Sequence, residues 1–261
     1  MKKTFLKSMI ALSLSGACAV TAATHRTKIV PETQDARHAR YSPLRQINTS
    51  NVKDLKPVWI YDTGSKGRGW QENPIVVDDV MYLSIPGGAA AVDPETGKEL
   101  WRFVPKDLSR PGRNRGVTYW PGDGTLAPRI IYAISDRLYA LNVKTGVPIA
   151  SFGYNGMVHL RDDVADKYPN AAYTISSRAA IYKNLAIISP STQEFGSKGP
   201  SGDPRAFDVR TGKQVWRFHT VPQPGEAQDG SWGADGWKER AGPSAWKAST
   251  GCAMKTDAGA G

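Results

Sequence analysis

Cysteine is nearly absent: two residues, Cys18 and Cys252, in a chain of 261. That excludes a disulfide-stapled miniature fold and any thiolate-built metal site, and it leaves stability to packing. The four histidines, among them His159 and His219, show no metal-ligand spacing and read as ordinary surface or loop residues. Long apolar runs are missing as well. The stretch from Met9 to Val20 is too short to span a bilayer, and nothing later approaches the required length. Nor is there a stripe of one charge. Lys and Arg number 34 against 24 Asp and Glu, a net charge of +10, but they are scattered between turns, with no zinc-finger, helix-turn-helix or arginine-rich motif. Nucleic acid is therefore not an expected partner; the basic surplus suits a solvated surface or a cleft for an anionic small molecule.

What the chain holds in quantity is punctuation and aromatic mass: 26 Gly, 18 Pro and eight Trp, with 40% hydrophobic residues overall. Many short strands joined by turns fit that composition better than long helices, so the expected fold is all-β. The first 23 residues read as a cleaved secretory signal. Lys2, Lys3 and Lys7 form a basic start, the apolar stretch follows, and Thr21-Ala22-Ala23 supplies the small residues of a cleavage site. Export to the periplasm is the expectation. A rival reading takes Ser15-Gly16-Ala17-Cys18 as an approximate lipidation site, with Ser15 where an aliphatic residue is expected. Removing residues 1–23 takes three basic residues and no acidic one, leaving 31 against 24, a net +7.

A repeat organises the rest. Ala91 to Phe103, Ala140 to Phe152 and Ala206 to Phe218 align without gaps on the pattern apolar, Asp or Asn, two residues, Thr-Gly, then Trp-x-Phe. Asp93, Asn142 and Asp208 are placed to hydrogen-bond the following turn, and Gly97, Gly146 and Gly212 to take positive φ, so each segment is expected to be a hairpin. Ser151 interrupts the aromatic pattern in the middle repeat. The turn glycines lie 49 and 66 residues apart, about one four-stranded propeller blade each. Upstream of the hairpins, Pro74–Val77, Val80–Ser84, Ile130–Ala133, Ala179–Tyr182 and Leu185–Ser189 read as further strands. Pro57 to Gly64 reads as the outer strand of a preceding blade. The recurring tryptophans read as packing between blades.

With these hairpins the chain resembles the pyrroloquinoline quinone (PQQ) dependent dehydrogenases, the quinoprotein propellers. The match extends beyond the repeats to Arg40-Tyr41-Ser42-Pro43-Leu44, Gln71-Glu72-Asn73-Pro74 and, most specifically, Asn114-Arg115-Gly116-Val117-Thr118-Tyr119-Trp120. The resemblance implies a cofactor pocket containing Glu72 at the first inner strand, Arg115 facing the carboxylates of PQQ, the hydroxyls of Ser176 and Ser191, and Trp246 as the floor on which the quinone stacks. It implies Glu194 as a ligand of calcium, a hard cation suited to carboxylate oxygen. From the residues alone, Arg115 also reads as a surface arginine, Glu72 and Glu194 as solvated carboxylates and Trp246 as a packing aromatic. The family's alcohol dehydrogenases carry a vicinal cysteine pair before the Arg-Gly segment. Its absence between Pro105 and Asn114 leans the resemblance towards the sugar and polyol branch.

The implied function is oxidation of a sugar, polyol or alcohol hydroxyl with PQQ and calcium, passing electrons to a respiratory acceptor. The alternative is a non-catalytic periplasmic propeller scaffold or an outer-membrane assembly lipoprotein. The family's catalytic aspartate lies in later blades, so this chain alone is expected to be inactive. Residues 24–246 are expected to form some three to four blades, about half of an eight-bladed ring, open to a complementary propeller fragment. Residues 247–261 read as an irregular tail out of register with the family, as a frameshift or early stop would give.

Overall fold

The computed structural model of the chain describes residues 44–64, 71–108, 114–192, 198–233 and 235–244. The expected signal segment, its possible lipidation site, the tail after 246, Glu194 and Trp246 lie outside these residues. Among the described residues there is no α-helix, only strands and two short 3-10 turns at Val52–Asp54 and Asp229–Trp232. The strands are β1 (Ile75–Val77), β2 (Val80–Ile85), β3 (Gly88–Val92), β4 (Glu99–Phe103), β5 (Thr118–Trp120), β6 (Arg129–Ile134), β7 (Arg137–Asn142), β8 (Met157–His159), β9 (Ala180–Tyr182), β10 (Leu185–Ile188), β11 (Arg205–Asp208) and β12 (Gln214–Arg217). They form three four-stranded antiparallel sheets in consecutive order, β1 to β4, β5 to β8 and β9 to β12. These are the blades of an incomplete propeller, as expected.

The tight turns follow from local chemistry. Asp78 and Asp79 both take positive φ (48° and 60°) and close β1 onto β2 as a two-residue loop. In the repeat hairpins, the amides of Glu95 and Thr96 donate to Asp93 Oδ1, both at 2.9 Å, and Gly97 N donates to the Asp93 carbonyl at 2.8 Å. Asn142 and Asp208 make the equivalent bonds to Lys144 N and Arg210 N, each at 2.8 Å. The three turn glycines hold φ of 71°, 69° and 75°.

Each turn glycine also receives a neighbouring blade. The Trp59 indole donates to the Pro94 carbonyl at 3.0 Å, and its ring lies so close to Gly97 that an added Cβ would sit 2.7 Å from it. Trp101 repeats the arrangement on the second blade: its Nε1 donates to the Val143 carbonyl at 2.9 Å, and a Cβ on Gly146 would meet its ring at 2.5 Å. At the third blade the pattern breaks. The residue aligned with Trp101 and Trp216 is Ala150, one before Ser151, so the break falls there. Gly212 packs instead on Gly153 and Val158, and Gly153 N donates to the Thr211 carbonyl at 2.8 Å.

Two expected strands differ. Residues 57–64 dock on the first blade through Trp59 and through Tyr61, whose hydroxyl bonds Glu99, but among the described residues no strand pairs with them in a ladder. In the middle repeat, Pro148 makes an isolated bridge to Leu141, the chain then loops out through Gly153 and Gly156, and β8 supplies the outer strand. Proline has no N–H to continue a ladder, which explains the early exit.

The core sits between the sheets. β6 is buried along its whole length because it faces a blade on each side. Ile131 and Ala133 point into a cluster with Leu138, Phe152, Ile175 and Phe207 of the second and third blades. Ile130, Tyr132 and Ile134 point the other way, to Tyr82, Ala91 and Trp101 of the first. A strand's period of two thus divides one continuous apolar run between two interfaces.

Candidate functional site

The innermost strands β1, β5 and β9 are each preceded by a short lead-in. Glu72, Arg115 and Ser177 stand three residues before them, and Asn73, Gly116 and Arg178 two residues before. β5 lies against β9, and Thr118 Oγ1 donates to the Ala179 carbonyl at 2.6 Å, tying the second lead-in to the third. Gly116 ties the second to the first: an added Cβ there would lie 3.1 Å from the Asn73 carbonyl oxygen and 3.4 Å from Glu72 Oε1. Gly116 holds φ of 131°, open to glycine and strained for other residues. The lead-ins of all three blades therefore converge.

Glu72 is the centre of this convergence. Ser84, on β2 and itself buried, donates through Oγ to Glu72 Oε2, and its Oγ also lies 3.3 Å from the Asn114 carbonyl oxygen. Asn114, buried too, accepts from Gly116 N at 2.7 Å through Oδ1 and donates from Nδ2 to the Ala133 carbonyl. The other carboxyl oxygen, Glu72 Oε1, is buried with no hydrogen-bond partner in the protein. Burial pushes the Glu72 carboxyl from the ordinary 4.5 to about 7, with the Ser84 hydrogen bonds and the Arg178 charge pulling the other way. Near neutrality it is divided between an acid that can donate a hydrogen bond and a carboxylate that accepts one. A buried oxygen without a protein partner, at a convergence of elements, is placed to bond an atom from outside the chain.

Arg115 lies half-buried beside the third blade, its Nη1 3.3 Å from Ser176 Oγ and 3.5 Å from the Ser176 carbonyl oxygen. Ser191 forms a two-bond bridge with Thr174, at 2.7 and 3.1 Å, and the next residue, Thr192, takes a bond from its amide to Ser244 Oγ at 3.0 Å. The segment leading to Trp246 is thus pinned beside Ser191. Of the six residues singled out from sequence, Glu72, Arg115 and Ser176 are brought to one cluster and Ser191 to its flank, while Glu194 and Trp246 lie outside the described residues. Ser84, Asn114 and Arg178 escaped sequence reasoning. For Arg178 a signal existed in its register, the same distance before β9 as Gly116 before β5.

The chemistry of the cluster suits a planar anion bearing several oxygens. A guanidinium offers paired donors to a carboxylate, a neutral carboxyl offers a hydrogen to an oxygen, and the serines offer hydroxyls. No group of three or more His, Cys, Asp or Glu side chains placed to hold a metal occurs among the described residues. A separate open recess of about 530 Å³ near Trp237 and Lys238 holds two ion pairs, Lys198 with Glu239 at 2.7 Å and Lys238 with Asp235 at 2.5 Å.

Residues 32–254 match the family described as the glucose/ethanol/alcohol dehydrogenase β-propeller domain, designated PQQ. The chain is similar to the dehydrogenase subunit of the quinone-linked alcohol dehydrogenase of Gluconacetobacter polyoxogenes, with 38% identity over 73% of this chain and 25% of that protein. It is similar to quinoprotein glucose dehydrogenase A of Acinetobacter calcoaceticus, with 36% identity over 69% of this chain and 26% of the relative. Among solved structures, the quinohemoprotein alcohol dehydrogenase from Comamonas testosteroni superposes with a TM-score of 0.62 at 28% identity, over 81% of this chain and 32% of that one. The chain spans about a quarter of the length of these curated relatives.

Proposed function

Because the chain belongs to the family of PQQ-dependent glucose, ethanol and alcohol dehydrogenase β-propellers, we propose that its converging lead-ins form part of a PQQ cradle in an exported dehydrogenase of sugars, polyols or alcohols. The observation that carries this reading is the buried, unpartnered Glu72 Oε1 placed beside the Arg115 segment. Relatives of this chain are named for alcohols and for glucose, which supports that range of substrates. One relative is named as a methanol dehydrogenase of the cytochrome c type, which supports a respiratory protein as electron acceptor.

In this reading Arg115 holds a carboxylate of the cofactor through a charge-assisted pair, and the Ser176 hydroxyl, next to the guanidinium, fixes its orientation. Glu72 in its acid form donates from Oε1 to a cofactor oxygen, and Ser84 holds the carboxyl rotamer by occupying Oε2. Ser191 and Trp246 belong to the same cradle, with the indole as a stacking floor, and Glu194 is a calcium ligand. PQQ, when bound, supplies a quinone that accepts the electrons removed from a hydroxyl-bearing carbon. The catalytic base and the remaining cradle residues belong to later blades of the whole protein. The basic, apolar, small-residue order of residues 1–23 supports periplasmic localisation.

Equilibrium dialysis of the full chain against PQQ in calcium-containing buffer tests the cradle. Retention of PQQ is expected, with affinity falling at least about tenfold in Arg115→Ala, the scale of a lost charge-assisted pair. Failure of the wild-type chain to retain PQQ defeats the reading.

A further inference from the structure

β5 begins at Thr118, paired with Ile131 of β6, and two pairs further on the same register would set Gly116 opposite Ala133. β6 runs on through Ala133 to Ile134, but β5 does not follow it. A buried ladder that stops in this way leaves an amide and a carbonyl needing other partners. Asn114 supplies both: its Oδ1 accepts from Gly116 N at 2.7 Å and its Nδ2 donates to the Ala133 carbonyl. Asparagine suits this splice because its carboxamide carries an acceptor and a donor side by side. Asn114 is only 7% exposed, so the loss of either bond would strand a buried polar group. Where the chain leaves the sheet it turns through Arg115, the residue enclosed between Asn114 Oδ1 and Gly116 N, and the guanidinium emerges beside Ser176 of the third lead-in. The Asn114 carbonyl oxygen lies 3.3 Å from Ser84 Oγ, the hydroxyl bonded to Glu72. One buried amide is thus tied to the turn that presents Arg115 and to the hydroxyl that holds Glu72.

We propose that Asn114 is a positioning residue of the cradle: by taking the place of the last ladder bonds of β5, it peels the chain off the sheet and aims the Arg115 guanidinium at a carboxylate of PQQ. This rests on the cradle reading above. Asn114 touches no part of the cofactor in this arrangement, and its whole effect on binding passes through the residue it presents.

The test is a double-mutant cycle in PQQ affinity, by equilibrium dialysis of the full chain in calcium-containing buffer, over wild type, Asn114→Ala, Arg115→Ala and the double variant, with thermal melting of each unliganded chain. Asn114→Ala is expected to weaken PQQ binding about tenfold, as Arg115→Ala does, and the double variant to lose no more than either single one. Asn114→Ser, whose hydroxyl can still accept from Gly116 N but has no amide for Ala133, is expected to fall between wild type and Asn114→Ala, and takes its place in the cycle should Asn114→Ala not melt cooperatively. Losses that multiply to about a hundredfold in the double variant overturn the proposal, because a general loosening of the fold would weaken binding with or without Arg115. A wild type that retains PQQ, loses it in Arg115→Ala and keeps it in the Asn114 variants defeats this inference alone. A wild type that retains no PQQ defeats it together with the cradle.

Discussion

Glu72 shows how much one side chain can set. Its carboxyl is moved from 4.5 to about 7 chiefly by burial, so the folded chain binds a proton there that the unfolded chain releases. A raised acid contributes fully at low pH, and its contribution fades as pH climbs from the unfolded value through the folded one. Stability is therefore expected to fall between about pH 5 and pH 8, by about 3 kcal/mol at full extent. Melting curves across that range should show the decline in wild type and a flatter profile in Glu72→Gln; identical pH profiles would mean that Glu72 is not the group responsible. The sequence exposes Glu72 as a candidate through the Gln-Glu-Asn-Pro segment, but not the neighbours that shift it. Ser84, 12 residues away, is brought to it by the pairing of β1 with β2, and Asn114, a further 30 on, only by the closing of the second blade on the first.

The hairpins are the elements best written into the chain, because their instructions are local. Asp93, Asn142 and Asp208 cap their own turns and the glycines four residues on take positive φ, so each hairpin forms from about six residues. What the tryptophans touch is not local, and the repeat alone tells only that they pack. The structure pairs Trp101 with Gly146, and the pairing predicts a coupling. Gly146→Ala should cost several kcal/mol, combining backbone strain with a collision against the indole, whereas Gly124→Ala, at φ of 88° in open space, should cost the strain alone. Combining Gly146→Ala with Trp101→Ala in a double-mutant cycle should recover part of the loss; strict additivity in denaturant unfolding would disprove the contact. The middle repeat read as a hairpin of full length, yet Pro148 and the loop to Gly156 divert it. That outcome depended on β8 being available to take the outer position.

At the scale of the whole molecule, the middle blade is covered on both faces and the outer ones are not. Val58 and Ile60 are each 88% exposed on one flank, and Val215 and Phe218 are 54% and 64% exposed on the other. Such flanks favour association of copies, expected as a concentration-dependent rise in sedimentation coefficient and reduced by Val215→Lys with Phe218→Lys; a monodisperse monomer at high concentration in the wild type would count against it. The blade count was legible from the glycine spacing. Burial of β6 on both faces was not, since an apolar run does not say how many neighbours it will have. The direction of the tryptophan contacts has a consequence for synthesis. Trp59 precedes the turn it covers by 38 residues and Trp101 precedes its own by 45, so each indole leaves the ribosome before its receiving hairpin exists. The first two hairpins each land on an aromatic ring already waiting for them, and the nascent chain builds these blades in order, with the earlier tryptophan serving as the template for the hairpin that follows.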